Sequence, residues 1–251
     1  MQNLGINDFS GIVNKSFSNV SFYFNVQPSF RNTHYVIPLY HCDYNRALNL
    51  SLLGSSLNNS IHIIIIKFYK NDGDIIYNGE KLADINGPAK YILMGERVAL
   101  NYIQRMSGIA TETNKYQNAI APYAAKIVDT RKTTPNFRMF EKYSVKVGGG
   151  ALHRFNLSDC VMIKDNHIRL AGSITNAVQK LKQNISHAHK IEVECDTLEQ
   201  VQEALKNNVD IIMLDNMDLG TMKNKSKSYP FISSYRIDGN RFTQSIKGLS
   251  K

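Results

Sequence analysis

The rhythm of apolar and polar positions changes along the chain, and each rhythm predicts a different kind of element. Through residues 22–26, 35–39 and 61–69, aromatic and β-branched residues cluster in runs of strand composition. Turn signals follow at Lys70-Asn71-Asp72-Gly73-Asp74, at Gly79 and at Gly87-Pro88, so this half predicts a small antiparallel sheet. From Gly95 the period lengthens. Val98, Tyr102 and Met106 recur every four residues with Ala99 and Ile103 beside them, which predicts a helix over 95–106. Glu96 falls in the expected first turn, where the helix dipole favours an acid. Ser107-Gly108 is expected to break this helix, and a second is expected from about 109 to 121, before Pro122.

Beyond residue 126 short apolar strands, each ending in a charged residue, alternate with helices. The strands are predicted at 127–131, 161–164, 191–194 and 211–215. One helical stripe carries Ile174, Ala177, Val178 and Leu181; the next carries Leu198, Val201 and Leu205 and opens at Asp196-Thr197-Leu198-Glu199, a start resembling a capping box. A βαβα series argues for parallel strands with helices outside. The C-terminal ends of such strands share one rim, which would gather Arg131, Lys164, Glu194 and Asp215.

Composition narrows the function classes. The chain has 251 residues, 43% of them hydrophobic, so a globular fold with one large or two smaller cores is expected. Its 30 Lys and Arg exceed 21 Asp and Glu, giving a formal charge of +9 and favouring an anionic partner. The longest apolar run, Ile63-Ile64-Ile65-Ile66, is far short of a membrane span, and residues 1–10 lack the basic and apolar regions of a secretory signal, so a cytoplasmic protein is expected. Cys42, Cys160 and Cys195 are widely spaced and read as free thiols. His41-Cys42 and His187-Ala188-His189 are too bare of companions to read as a catalytic dyad or a metal site. The Lys-rich run at 223–228 reads as a solvated loop, and no nucleic-acid motif accompanies it.

The densest chemistry lies in Asp129-Thr-Arg-Lys-Thr-Thr-Pro135, Gly148-Gly-Gly-Ala-Leu-His-Arg154 and Ile163-Lys-Asp-Asn-His167. Together with Gly95-Glu-Arg97, Ser107-Gly-Ile-Ala-Thr111, Glu192-Val-Glu194 and Leu214-Asp-Asn216, these stretches resemble the quinolinate phosphoribosyltransferase family over roughly residues 80–216. The resemblance implies an α/β protein, with an N-terminal α+β sandwich domain (1–108) followed by an incomplete parallel α/β barrel (109–251), C-terminally shortened. It implies two substrates, quinolinate and phosphoribosyl pyrophosphate, the latter arriving with Mg²⁺, and a place in NAD biosynthesis.

Paired carboxylates suit Arg forks supplemented by Lys and His donors. The residues that would hold them are Arg131, His153, Arg154 and Lys164, joined by Arg97, which in the family reaches across from a neighbouring subunit of a homodimer or larger homo-oligomer. Lys132 would lie between the dicarboxylate and the sugar phosphate. Glu194 and Asp215 match the family's acidic positions toward metal and ribose, and would stabilise positive charge developing on the ribose carbon. The triple-glycine run is expected to be a tight loop placing His153 and Arg154, and His167 is expected to be structural.

Two departures stand out. The family's acidic N-terminal signature has no counterpart in residues 1–60, and only 36 residues follow Asp215. The family's last strand then has no counterpart, and Asp238-Gly239-Asn240 stands where a Ser-containing loop would bind the sugar 5′-phosphate. An Asp there would repel phosphate. The alternative expectation is therefore a non-catalytic relative that keeps the dicarboxylate pocket and has lost the sugar-phosphate site. Neither partner class includes nucleic acid or membrane.

Overall fold

The computed structural model of the chain describes residues 64–123, 125–215 and 217, and the backbone of strands at 18–23, 35–36 and 234–235. The chain divides into two compact units, one ending at His153 and the other beginning at Arg154.

In the first unit, β1 (Ser18–Tyr23), β3 (Ile65–Phe68) and β5 (Lys81–Gly87) form an antiparallel sheet in the order β1-β5-β3. β2 (Tyr35–Val36) pairs antiparallel with β4 (Ile75–Ile76). The expected antiparallel sheet is thus present. Its turn cluster closes as the sequence suggests: the Asp74 carboxylate accepts from the Asn71 N–H at 2.7 Å, and Gly73 adopts φ +90°, a conformation side-chain-bearing residues rarely reach.

Pro88 caps helix α1, which runs unbroken over 31 residues, Ala89–Ala119. The expected break at Ser107-Gly108 does not occur. A glycine inside a helix costs only about 1 kcal/mol, and the apolar face continues through it: Ile92, Ala99, Met106 and Ala110 are all buried. Starting six residues earlier than expected removes Glu96 from the first turn, and Val98, expected on the apolar stripe, lies outward, 42% exposed.

Helix α2 (Arg138–Val147), which the sequence reading did not anticipate, packs on α1 through Tyr102, Phe137 and Phe140, whose ring centroids lie 4.9–5.1 Å apart. The strand expected over 127–131 is reduced to a single parallel bridge, Val128 to Ala151. After α2 the glycines set the close packing. A Cβ on Gly148 would come within 2.4 Å of the Ala110 carbonyl, and one on Gly150 within 2.7 Å of Val145 Cγ1.

The second unit contains a parallel sheet in the order β6-β7-β8-β9, made of Val161–Ile163, Ile191–Cys195, Ile211–Leu214 and Ser234–Tyr235. This is the α/β arrangement the alternating pattern predicts. A short helix, α3 (Asp165–Ala171), ends at Gly172, and Ser173 then caps α4 (Ile174–Lys182) by accepting from the Asn176 N–H at 3.0 Å. Thr197 caps α5 (Leu198–Lys206) in a full capping box whose acceptor partner is Gln200. Ile163, Ile174, Val178, Val193, Val201, Ile212 and Leu214 form the core between sheet and helices. Each such side chain stabilises the fold by roughly 1.5–3 kcal/mol through burial. Among the described residues no helix is long and apolar enough to cross a membrane.

Candidate active site

Of the expected binding residues in the first unit, Arg131 and Lys132 lie in the segment 129–134, and His153 is tied to that segment through Asp129. Asp129 is buried, and its Oδ1 accepts from Lys142 Nζ at 2.5 Å and from the His153 backbone N–H at 2.8 Å. His153 is therefore fixed through its main chain, two residues after the bridge at Ala151. Arg131 is half-buried. Its Nε is sealed from solvent and has no hydrogen-bond partner among the described residues. A buried guanidinium donor left unpaired is costly unless an anion meets it. Lys132 is exposed next to it, its N–H donating to Thr130 Oγ1 at 3.1 Å. Arg97 projects from α1 as an exposed residue, flanked on its face of the helix by exposed Leu93, Met94 and Val98.

The shape of the 129–134 segment comes from α2. Arg138 donates through Nε to Thr133 Oγ1 at 3.2 Å and through Nη2 to the Arg131 carbonyl at 3.3 Å. The Glu141 carboxylate accepts from the Thr134 N–H at 3.2 Å, from the Thr134 hydroxyl at 2.8 Å and from Arg105 Nη2 at 2.7 Å. Burial alone would raise the Glu141 pKa, but the hydrogen bonds from Arg105 and Thr134 outweigh it and hold the carboxyl below its ordinary value. None of Arg105, Asp129, Arg138, Glu141 and Lys142 figured among the expected site residues. The available signal was the spacing of Arg138, Glu141 and Lys142 at i, i+3 and i+4, one face of a helix.

In the second unit the expected site residues Lys164, Glu194 and Asp215 lie at or near strand ends. Lys164 follows β6 directly, and its Nζ meets Glu194 Oε2 at 2.7 Å, an ion pair between two residues expected on one rim and assigned to different substrates. His167 Nδ1 accepts from the Lys164 N–H at 3.0 Å, a structural role as expected. Asp215 follows β8 directly and is buried, its N–H donating to the Cys195 carbonyl at 3.0 Å. Arg154 directs Nη1 to the Cys160 carbonyl at 2.8 Å and Nη2 to Met162 Sδ at 3.4 Å, so both terminal nitrogens face β6. Glu192, on the same face of β7 as Glu194, is wholly buried. The Cys160 thiol is raised by burial first and by the Glu192 charge next, while Arg154 opposes. Burial, with Asp196, Glu203 and Glu194 adding to it, pushes the Cys195 thiol up to about 12, so neither thiol is a nucleophile at neutral pH.

A divalent cation finds a limited donor set. No three of His, Cys, Asp and Glu gather among the described residues. Two carboxylates at neighbouring strand ends, Glu194 and Asp215, fit a hard cation that brings most of its ligands as phosphate oxygens and water, and not an all-protein cage. His187 and His189 lie exposed and outside any such group. Asp238, Gly239, Asn240, Asn216, the His41-Cys42 pair and the 223–228 run lie outside the described residues.

Residues 60–107 match the N-terminal domain of quinolinate phosphoribosyl transferase, and residues 109–231 match its C-terminal domain. The chain is 47% identical over 180 residues to a probable nicotinate-nucleotide pyrophosphorylase [carboxylating] of Bacillus subtilis, covering 72% of this chain and 60% of that protein. It is 52% identical over 151 residues to the protein of the same name in Synechocystis, covering 60% of this chain and 51% of that one. The chain thus spans between about half and three fifths of the length of these two curated relatives. Among solved structures, NadC from Streptococcus pyogenes superposes with a TM-score of 0.78 at 34% identity, covering 94% of this chain and 79% of that one.

Proposed function

The chain belongs to the quinolinate phosphoribosyltransferase family, and from that premise we propose that it joins quinolinate to phosphoribosyl pyrophosphate, yielding nicotinate mononucleotide, CO₂ and pyrophosphate for NAD biosynthesis. The observation that carries this reading is the buried Nε of Arg131, which has no hydrogen-bond partner among the described residues. It is a donor waiting for an anion, in a segment otherwise tied down at every turn.

In this reading residues 1–108 form the N-terminal domain and residues 109–251 the barrel-like domain that carries the chemistry. Arg131, His153, Arg154 and Lys164 hold the two ring carboxylates, with Arg97 supplied by a second copy of the chain in a homodimer or larger homo-oligomer. The exposed apolar residues around Arg97 support such a contact. The pyridine nitrogen attacks the ribose carbon as the bond to pyrophosphate breaks, and Glu194 and Asp215 stabilise the positive charge that develops there. Lys132 bridges the acid and the sugar phosphate. When the 2-carboxylate departs as CO₂ its bonding pair stays on the ring carbon, stabilised by the adjacent cationic nitrogen, and a proton from solvent then adds to that carbon. Mg²⁺ bound with pyrophosphate, near Glu194 and Asp215, would neutralise charge on the leaving group. Asp238, Gly239 and Asn240 are assigned to the sugar-phosphate side, and the protein to the cytoplasm. Positioning and electrostatics suffice, with no covalent protein intermediate.

The test combines an assay and a binding measurement. Purified chain, Mg²⁺ and both substrates should release nicotinate mononucleotide and CO₂ in equal amounts, and calorimetry should show quinolinate binding. Quinolinate binding without product would overturn the enzyme reading and leave a dicarboxylate-binding relative.

A further inference from the structure

Helix α2 turns a polar face toward the segment that carries Arg131 and Lys132. Arg138 holds Thr133 and the Arg131 carbonyl, Glu141 accepts from both the N–H and the hydroxyl of Thr134, and Lys142 reaches Asp129 at the root of the segment. Asp129 is the shared point, since the same oxygen that meets Lys142 also accepts the His153 N–H. One carboxylate therefore ties α2 to both strands of the bridge, the strand leading into Arg131 and the one leading into His153.

The energetics say why a fold would carry such a pair. The side chains of Lys142 and Asp129 are only 3% and 4% exposed, so both charges have left water. A buried ion pair of this kind rarely stabilises a fold more than apolar residues of the same size would. An apolar pair, however, would give the His153 N–H no acceptor and leave the root of the Arg131 segment unrestrained.

We infer that Lys142 is a positioning residue of the dicarboxylate site: its buried ion pair with Asp129 fixes the His153 backbone and the start of the Arg131–Lys132 segment in one geometry. Lys142 acts through Asp129 and touches no substrate. The inference rests on the dicarboxylate reading of that site.

The experiment is calorimetry on the full chain, with quinolinate and, separately, phosphoribosyl pyrophosphate, for wild type and Lys142→Met. The variant should bind quinolinate about tenfold or more weakly at unchanged stoichiometry, and phosphoribosyl pyrophosphate, which meets the segment through Lys132 alone, should lose less affinity than quinolinate does. A residue that served the fold alone would lower the stoichiometry of competent protein and leave the Kd of the remainder untouched, and that result would overturn the inference. Lys142→Met leaves Asp129 charged and alone in the interior, which can prevent folding. The double variant Asp129→Asn with Lys142→Met removes both charges; it should melt near wild type and still bind quinolinate about fivefold more weakly. Wild-type affinity in the double variant would overturn the inference. Wild-type chain that binds no quinolinate would overturn the dicarboxylate reading itself, and this inference with it, whereas a binding wild type beside an unchanged Lys142→Met overturns this inference alone.

Discussion

In the parallel sheet, Lys164, Glu194 and Asp215 stand where backbone ladders and an apolar core put them; in the 129–134 segment, Arg131 and Lys132 stand where the charged side chains of α2 put them. The first arrangement is rigid because the strands' own hydrogen bonds and buried Ile and Val side chains resist displacement. The second has no ladder to lean on beyond one bridge, so its accuracy depends on ion pairs and hydroxyl contacts. Core substitutions should therefore affect the two regions through stability, and polar substitutions on α2 should affect binding.

The largest separation is expected from Arg131→Ala. Quinolinate binding should fall by roughly 100-fold or more, beyond calorimetric detection, because charge-assisted hydrogen bonds to a carboxylate are lost. The melting temperature should hardly move, since Arg131 contributes little to either core; unchanged quinolinate affinity would show the segment to be misassigned.

Ile212→Ala should do the reverse. Ile212 is 2% exposed in the sheet's core, and the cavity left behind should lower stability by about 3 kcal/mol in chemical denaturation. The folded fraction should keep its quinolinate Kd within about threefold. A larger loss of affinity would mean that the sheet and its core set the binding geometry less independently than their construction implies.

The smallest effect is expected at acid pH, from Glu141. Because its folded-state pKa lies below the ordinary value, its ionised form stabilises the native state at neutral pH, and this contribution is lost as pH falls below about 4.3 toward the folded value. Wild type should melt above Glu141→Gln at pH 6, and the gap should narrow on acidification. A gap constant from pH 6 to pH 3 would remove the charge from the account of how α2 holds Thr134.

Much of the sheet half was legible in the sequence. β6, β7 and β8 are short apolar runs, and α4 and α5 show clean three-and-four spacing with recognisable caps. The rim residues Lys164, Glu194 and Asp215 could be named because each closes or nearly closes a strand. α2 was missed although Met139, Phe140, Tyr143 and Val147 recur at helical spacing; its most buried residues, Glu141, Lys142 and Ser144, are polar, so hydrophobic periodicity says nothing of the face that matters. α3 buries none of its residues and is equally silent. The continuity of α1 was hidden by Ser107-Gly108, a pair that signals a stop locally and is overruled by the apolar face on either side. Nothing in the sequence pairs Asp129 with Lys142, thirteen residues on; only the fold makes them partners.

The sheet order β6-β7-β8-β9 has each strand laid beside its predecessor in the chain. Neighbouring strands are spaced about 4.8 Å apart, so position along the sequence becomes position across the rim in equal steps. The strand ends then work as a ruler, with Lys164 on the first mark, Glu194 on the second and Asp215 on the third. A ligand lying across them meets a cation before it meets two acids. Lengthening a crossover between two strands would add a loop outside the sheet and leave that order of charges intact.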